Sequence, residues 1–313
     1  MGIQGRPRGL PFVSPAVLQL KRWNNPARQF KRRGRAPRSA MAARTRAISI
    51  KRMGRVYTFP SPFVIYSAQQ PIVGRGENML SITVWGDSIG RGVVFDEGRK
   101  RYAVAKRTYA AILEEKGILK VDNRSRFGAS AAEGLADFAQ AEPLSTRVVA
   151  LLYGGNDCNL KWDEVAARPQ EQHAAKLALP VFQQTLETFV QAVREKGHIP
   201  LLVTPPPLIA PRFIFWVSQG LDGENIREYV GNVQNIYHWQ ERYAAAVHQA
   251  AQATGCLLFD LRDAFLAQKD MESYYSVDGM HPGDKGQQLI ADAISQAVPR
   301  FRDLIQSSSA VPS

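Results

Sequence analysis

The sequence predicts a three-layer α/β/α domain built around a parallel sheet of five strands. Three observations predict it. From residue 80 onward, short apolar runs alternate with longer amphipathic segments, as in strand, helix, strand units. The chain has 313 residues and is 45% hydrophobic, enough to bury the core of one domain of ordinary size. Charge, Pro or Gly interrupts every apolar run well before the roughly 18 residues that a membrane span needs, so we expect a soluble protein.

The individual elements follow from the positions of these runs. The predicted strands are Ser81 to Trp85, Leu119 to Asn123, Arg147 to Leu152, Ile199 to Val203 and Cys256 to Phe259. The predicted helices span residues 105–116, 130–140, 172–196, 225–254 and 284–297. Ligands of parallel sheets bind at the carboxyl ends of the strands. Functional residues are therefore expected just after each strand.

The formal net charge of +12 comes from the N-terminal part of the chain. Residues 1–76 contain 16 Lys or Arg and no Asp or Glu, whereas residues 77–313 contain 24 basic and 28 acidic residues and carry a net charge of −4. The segment through about residue 60 is rich in Arg, Pro and Ala and has no sustained period. We therefore expect a basic, disordered extension over 1–76, a globular domain over 77–306 and a tail over 307–313.

Three interpretations of the basic extension remain open. The first is that it is dispensable or the product of an over-long gene model, since Met41, Met53 and Met79 each offer a later start. The second is that it is a targeting segment, and the third is that it binds nucleic acid. The first is favoured, so no nucleic-acid partner is expected. Two prolines and Gln19 break up the apolar run at residues 9–20, so a secretory signal is not expected and the predicted location is cytoplasmic.

The first candidate functional motif is Gly86-Asp87-Ser88-Ile89-Gly90, directly after the first predicted strand. A serine hydroxyl becomes a good nucleophile only when a base removes its proton. The start of a helix also offers backbone N–H groups to an anion. The alternative is an ordinary turn with a capping serine.

Two further motifs follow the second and third predicted strands. Gly128 lies at a loop-to-helix junction, where its N–H can point into the crevice or where it only makes a turn. In Gly154-Gly155-Asn156-Asp157, Asn156 can present an amide donor to a ligand. Its amide can equally tie down its own loop.

The segment Asp278-Gly279-Met280-His281 precedes the last predicted helix. A spacing of three in a turn can bring the carboxylate to one ring nitrogen of His281. The other nitrogen is then free to accept a proton from a serine, while the carboxylate stabilises the imidazolium that forms. Ser88, His281 and Asp278 are the candidate catalytic residues.

Together, these motifs resemble the sequence blocks of SGNH (GDSL-like) hydrolases, over about residues 79–300. Gly86-Asp87-Ser88 is similar to the first block, Gly128 to the second, Gly155-Asn156-Asp157 to the third and Asp278-x-x-His281 to the fifth. The resemblance implies a flavodoxin-like fold and an oxyanion hole formed by Ser88, Gly128 and Asn156. Ile89 stands where many members carry Leu. The segment from Pro205 to Arg242 resembles a bacterial subgroup of unassigned substrate.

The implied activity is hydrolysis of carboxylic esters, with short acyl or acetyl groups, on a small-molecule or carbohydrate substrate. Lysophospholipase or thioesterase activity on the same fold is the nearest alternative. Phe213, Phe215 and Trp216 are candidates for the roof of the acyl pocket. No cofactor is expected, and no metal site, because no His, Cys, Asp and Glu cluster has ligand spacing.

Two further alternatives concern fold and class. Gly86-x-Ser88-x-Gly90 also matches the nucleophile elbow of α/β-hydrolases, but that fold needs several strands before its nucleophile and an acid well separated from the histidine. A non-catalytic module that binds carbohydrate or protein would not need all of the catalytic positions to be filled. The sequence leaves the oligomeric state open.

Overall fold

A computed structural model describes residues 48–52, 55–59 and 80–307. The chain forms two units, Met1–Val73 and Gly74–Ser313. In the first, strand β1 (Ile48–Arg52) pairs antiparallel with strand β2 (Arg55–Phe59). These two strands lie in the segment 1–76, which was predicted from the sequence to be a basic, disordered extension. The β-branched and aromatic residues Val56, Tyr57 and Thr58 favour extended backbone.

The second unit is built on a parallel sheet of five strands, as predicted. The strands of this unit are β3 (Leu80–Gly86), β4 (Val93–Asp96), β5 (Arg101–Val104), β6 (Leu119–Asn123), β7 (Val148–Leu152), β8 (Ile199–Val203) and β9 (Leu257–Phe259). The five strands of the sheet lie in the order β6-β3-β7-β8-β9, which is the flavodoxin-like order. A separate antiparallel hairpin, β4 with β5, follows the first strand of the sheet.

Ten α-helices and a short 3₁₀ turn at Met271–Tyr274 are formed by the described residues. The helices are α1 (Ser88–Arg91), α2 (Tyr109–Glu115), α3 (Ala131–Gln140), α4 (Trp162–Ala167), α5 (Leu179–Glu195), α6 (Ala210–Val217), α7 (Gly223–Val230), α8 (Gln234–Thr254), α9 (Leu261–Leu266) and α10 (Asp284–Ser307). None of these helices combines the length and the apolar character needed to cross a bilayer.

Two apolar cores lie on opposite faces of the sheet, because successive side chains of a strand point to opposite sides. On β7, Val148, Ala150 and Leu152 belong to the core under α2 and α10. Val149 and Leu151 belong to the core under α3, α5 and α8. The third layer predicted from the sequence is therefore present, and both faces of the sheet are covered.

Several predicted helices differ from the observed ones at their ends. The predicted helix 225–254 is two helices, α7 and α8, because Gly231 adopts a φ of +64° that ends α7. The helix predicted to begin at 172 begins at Leu179, where Pro180 occupies the first turn. The last helix continues beyond residue 297 to Ser307, through Pro299. Residues 101–104, just before the predicted helix 105–116, form β5.

Candidate active site

Ser88 lies where β3 ends and α1 begins. It is the first residue of α1, and its neighbour Asp87 caps the helix by accepting a 2.8 Å hydrogen bond from the Ile89 N–H. Because Ser88 directly follows β3, it stands at the carboxyl edge of the sheet. Since β3 lies between β6 and β7, the loops that follow these two strands flank Ser88.

Helix α1, which begins at Ser88, is held in place by hydrogen bonds to Gly90. The Tyr109 hydroxyl and the Asn123 amide each donate to the Gly90 carbonyl at 2.8 Å. A Cβ atom at Gly90 would lie only 2.6 Å from the Ser125 Oγ. Glycine is therefore required here for packing against the loop after β6.

Ser88, His281 and Asp278 form one hydrogen-bonded chain. The Ser88 Oγ is 2.8 Å from Nε2 of His281, and Nδ1 of His281 is 2.6 Å from Oδ2 of Asp278. Asp278 also accepts hydrogen bonds from the backbone N–H groups of Met280 and His281, at 3.0 and 3.1 Å. The side chain of Asp278 is fully buried, so the turn that contains it orients the imidazole rigidly.

A cavity of about 260 Å³ opens above this chain. Ser88 and His281 contribute to its wall, together with Asp87 and Asn156. Most of the remaining wall is apolar and includes Trp162, Leu208, Phe213, Ile236, Trp239 and Met280. An ester carbonyl placed in this cavity would meet the Ser88 hydroxyl in a largely apolar environment.

The profile of the GDSL-like Lipase/Acylhydrolase family matches residues 84–289, which include all of these polar residues. The chain belongs to this family. It is a serine ester hydrolase with an α/β fold. No curated protein sequence matches it.

Solved structures of similar proteins include a lipase/acylhydrolase from Enterococcus faecalis, which is 18% identical. The similarity covers 71% of this chain and 97% of that one, with a TM-score of 0.50, and shows the shared fold. A catalytic mutant of Axe2, an acetylxylan esterase from Geobacillus stearothermophilus, is 17% identical over 70% of this chain and 94% of its own, with a TM-score of 0.49. The TesA structure is 20% identical; the similarity covers 70% of this chain and 97% of that one, with a TM-score of 0.44.

The pKa values of two acidic groups of this GDSL-like hydrolase are shifted in opposite directions. Burial by itself would raise the pKa of Asp278, but the hydrogen bond and positive charge of His281 and the backbone N–H groups lower it below its ordinary value of 3.8. Burial raises the pKa of Asp87 to about 6, although the Ile89 N–H and the Asn156 side chain oppose this by hydrogen bonding. Asp278 is therefore ionised at neutral pH, whereas Asp87 titrates about one pH unit below neutral pH.

The two other candidate oxyanion-hole residues occupy different positions. Asn156 lies in the cavity wall, beside Asp87. Gly128 has a φ of +74° and precedes the α3 cap Ser130, but it is not part of the cavity wall, whereas its neighbour Phe127 is. The backbone carbonyl of Gly128 accepts a hydrogen bond from Lys176 at 3.0 Å.

Only one of the three predicted roof residues lines the cavity. Phe213 does so and is buried. Phe215 is 70% exposed and Trp216 packs on Phe95 with ring centroids 4.5 Å apart, and neither belongs to the cavity wall. Phe213 is therefore the one predicted roof residue in the cavity wall. Phe215, two positions along α6, points to the other side of the helix, and Trp216 packs on Phe95 of β4 instead.

Tyr102 and Phe127 are cavity residues that the sequence analysis did not single out. The ring centroid of His281 is 5.1 Å from that of Tyr102 and 6.3 Å from that of Phe127. Tyr102 lies on β5, in a hairpin whose strands have only four residues each. The local sequence signal, the turn residues Asp96-Glu97-Gly98 between two short apolar stretches, indicates a hairpin but not its contact with His281.

The other four histidines contact groups outside this cavity. His173 contacts the Arg168 carbonyl and His198 the Thr146 carbonyl, both at 2.9 Å, while His248 lies 3.1 Å from Asp260. His238 lies 3.7 Å from Glu241. In the described part of the chain, no group of three or more His, Cys, Asp and Glu residues is arranged to hold a metal ion.

Proposed function

We propose that this hydrolase cleaves carboxylic esters that carry acetyl or other short acyl groups, on a small alcohol or a carbohydrate, through an acyl-enzyme on Ser88. The observation that carries the proposal is the continuous chain from Asp278 through His281 to Ser88 at the wall of the cavity. A serine so connected to a base is activated for attack.

The proposed reaction proceeds in two halves. The Ser88 Oγ attacks the ester carbonyl carbon while Nε2 of His281 accepts the hydroxyl proton. The tetrahedral intermediate collapses, the bond to the alcohol oxygen breaks, and His281 returns the proton to that oxygen. Water then attacks the acyl-enzyme by the same route, which releases the carboxylic acid and restores Ser88.

The negative charge of each tetrahedral intermediate needs hydrogen-bond donors. We propose that the backbone N–H groups of Ser88 and Gly128 and the Asn156 amide are these donors. The position of Asn156 in the cavity wall supports its part of the assignment. The N–H of Ser88 is at the start of α1, where backbone donors lack helical partners.

The cavity volume favours short acyl groups. At about 260 Å³ it is at or below the lower end of pockets for drug-sized ligands, which occupy roughly 300 to 1,000 Å³. A long acyl chain, as in lysophospholipase or thioesterase substrates, would extend beyond it. We therefore expect p-nitrophenyl acetate and butyrate to be hydrolysed with a higher kcat/KM than the palmitate ester, and the reverse order would favour the long-chain alternatives.

Labelling by a fluorophosphonate probe tests the proposed nucleophile. Wild-type protein should be labelled and should hydrolyse p-nitrophenyl acetate. Ser88→Ala should lose both while it keeps its fold, as measured by circular dichroism. Ser145→Ala, at an exposed position just before β7, is the matched control and should behave as wild type. Wild-type turnover by folded Ser88→Ala would reject the proposal, and absence of labelling in wild type would favour a binding module.

A further inference from the structure

A second concave surface lies beside the catalytic cavity. This groove has a volume of about 670 Å³ and runs between β5 and the loop after β6. Its wall combines three arginines, Arg91, Arg124 and Arg126, with apolar groups that include Val104 and the ring of Phe127. Val104 is 51% exposed and Phe127 is 57% exposed. We call this surface the arginine groove.

The arginine groove adjoins the catalytic cavity at two aromatic residues. Tyr102 and Phe127 belong to the wall of both. Their ring centroids are 5.4 Å apart, and both rings lie beside the imidazole of His281. A molecule that extends from His281 past these rings enters the groove.

The chemistry of the reaction determines which part of the ester lies on the side of the cavity that adjoins the arginine groove. His281 must return its proton to the alcohol oxygen, so the alcohol portion leaves from the histidine side of the scissile bond. The apolar cluster that includes Trp162, Leu208 and Phe213 forms another part of the cavity wall and suits the acyl portion. The groove is therefore the continuation of the site for the alcohol.

The guanidinium groups of these three arginines retain unused donors. Arg124 pairs with Asp122 through its Nε, which leaves both of its terminal nitrogens outside that pair. Arg126 pairs with Asp137 through Nη2 alone, and the hydrogen bond of Arg91 is a long one, 3.4 Å to the Asn123 carbonyl. None of the described residues that line the groove has a carboxylate. Guanidinium donors of this kind favour phosphate and carboxylate oxygens.

We propose that the arginine groove binds the alcohol portion of the substrate and selects alcohols that bear a phosphate or carboxylate group, such as an acylated acidic sugar. The assignment rests on the proposed esterase function. The exposed ring of Phe127 and the half-buried ring of Tyr102 provide apolar surface for the sugar ring, and the arginines bind its acidic substituent.

Three acetate esters of one sugar test the proposal: the neutral sugar, the same sugar with a phosphate group, and the same sugar with a carboxylate group. The measured quantity is the ratio of kcat/KM for each charged ester to that for the neutral one. In wild type we expect a ratio well above one, decreasing with added salt because exposed charges are screened. The two charged esters distinguish phosphate from carboxylate recognition.

Arg91→Gln should lower this ratio about tenfold, as for the loss of one charge-assisted contact. Arg147→Gln is the matched control, because it removes the same charge from an exposed position before β7, at the opposite edge of the sheet, and it should keep the wild-type ratio. Arg124→Gln provides a second variant, and thermal melting verifies that each protein is folded.

A wild-type ratio at or below one would overturn the proposal, and so would equal ratios for Arg91→Gln, Arg124→Gln and Arg147→Gln. Failure of the underlying esterase function has a different signature. In that case, wild type would hydrolyse none of the three esters, and the assignment of the groove would be rejected with it.

Discussion

Asn156 contacts both the catalytic cavity and the buried carboxylate of Asp87, so two functions compete for its amide. If the amide stabilises the oxyanion, Asn156→Ala should lower kcat by about 10² to 10³ and change KM little. If it only ties down its loop, the melting temperature should fall while turnover stays near normal. We expect the first result, measured as kcat and thermal stability on the same sample.

Asn235 offers a control for the structural alternative. Its amide donates to the Val230 carbonyl at 2.9 Å and so ties a loop without lining the cavity. Asn235→Ala should lower the melting temperature and leave kcat unchanged. A kcat for Asn156→Ala as high as that of Asn235→Ala would remove Asn156 from the oxyanion hole.

Asp157 should make stability depend on pH. Burial raises the pKa of its carboxyl group from 3.8 to about 7, although the Ala131 and Gly154 N–H groups oppose this by hydrogen bonding. Between pH 3.8 and about pH 7, Asp157 of the folded protein keeps a proton that the unfolded chain has released. The free energy of unfolding should therefore fall as pH rises through this window, relative to Asp157→Asn, by up to about 4 kcal/mol.

Urea unfolding of both proteins at about pH 4 and about pH 8 measures this difference. Asp137→Asn is a suitable control, because Asp137 is 40% exposed and paired with Arg126. Such surface pairs contribute about 0 to 1 kcal/mol, so its difference from wild type should stay in that range. An equal difference between wild type and Asp157→Asn at both pH values would contradict the prediction.

Site residues differed in how well the sequence could predict them. Ser88, His281 and Asp278 were found because each belongs to a short motif at a strand or helix end, and the structure brings them within hydrogen-bonding distance. Tyr102 and Phe127 reach His281 only through folding of a hairpin and a loop from distant parts of the chain. No local pattern carries that information.

At the scale of elements, the turn that holds Asp278 and His281 packs directly on α6. Gly279 has a φ of +68°, and a Cβ atom there would lie 2.7 Å from the Ile209 carbonyl and 3.0 Å from the Phe213 nitrogen. Gly279→Ala therefore combines backbone strain of about 1 to 2 kcal/mol with a clash against main-chain atoms. We expect a lower melting temperature and at least a tenfold loss of kcat/KM, since small displacements of catalytic groups are costly.

Gly283 provides the matched control in the same turn. The nearest atoms to a Cβ atom there are 3.7 Å away, an ordinary contact distance, and its φ is not positive. Gly283→Ala should therefore retain near wild-type melting temperature and kcat/KM. Similar losses in the two variants would show that the turn is sensitive to any side chain and would remove the argument based on α6.

Element types were predictable where apolar runs were long, and boundaries were less so. All five strands of the sheet were predicted to within about one residue. The strands β4 and β5 were missed because four residues are too few to establish a period of two. The break at Gly231 was missed because the amphipathic pattern continues across it.

At the scale of the whole molecule, charge and core are located in different parts of the chain. The basic excess belongs to residues 1–76, whereas residues 77–313 carry a net charge of −4. The described residues beyond 79 form both cores of the sheet, a third apolar cluster and the entire hydrogen-bonded chain of the site. We therefore propose residues 77–306 as the hydrolase domain.

A chain that begins at Met79 tests this proposal. It retains β3, the inner strand that leads to Ser88, and every residue assigned to catalysis. Because the apolar cores formed by the described residues lie within the retained part, it should fold with a cooperative melting transition and hydrolyse p-nitrophenyl acetate with a kcat/KM within about threefold of the full chain. Full-length protein at the same salt concentration is the control, since the removed segment is basic. Insoluble or inactive truncated protein beside an active full chain would show that the N-terminal residues are required for the fold, and the domain boundary would then have to move toward the N-terminus.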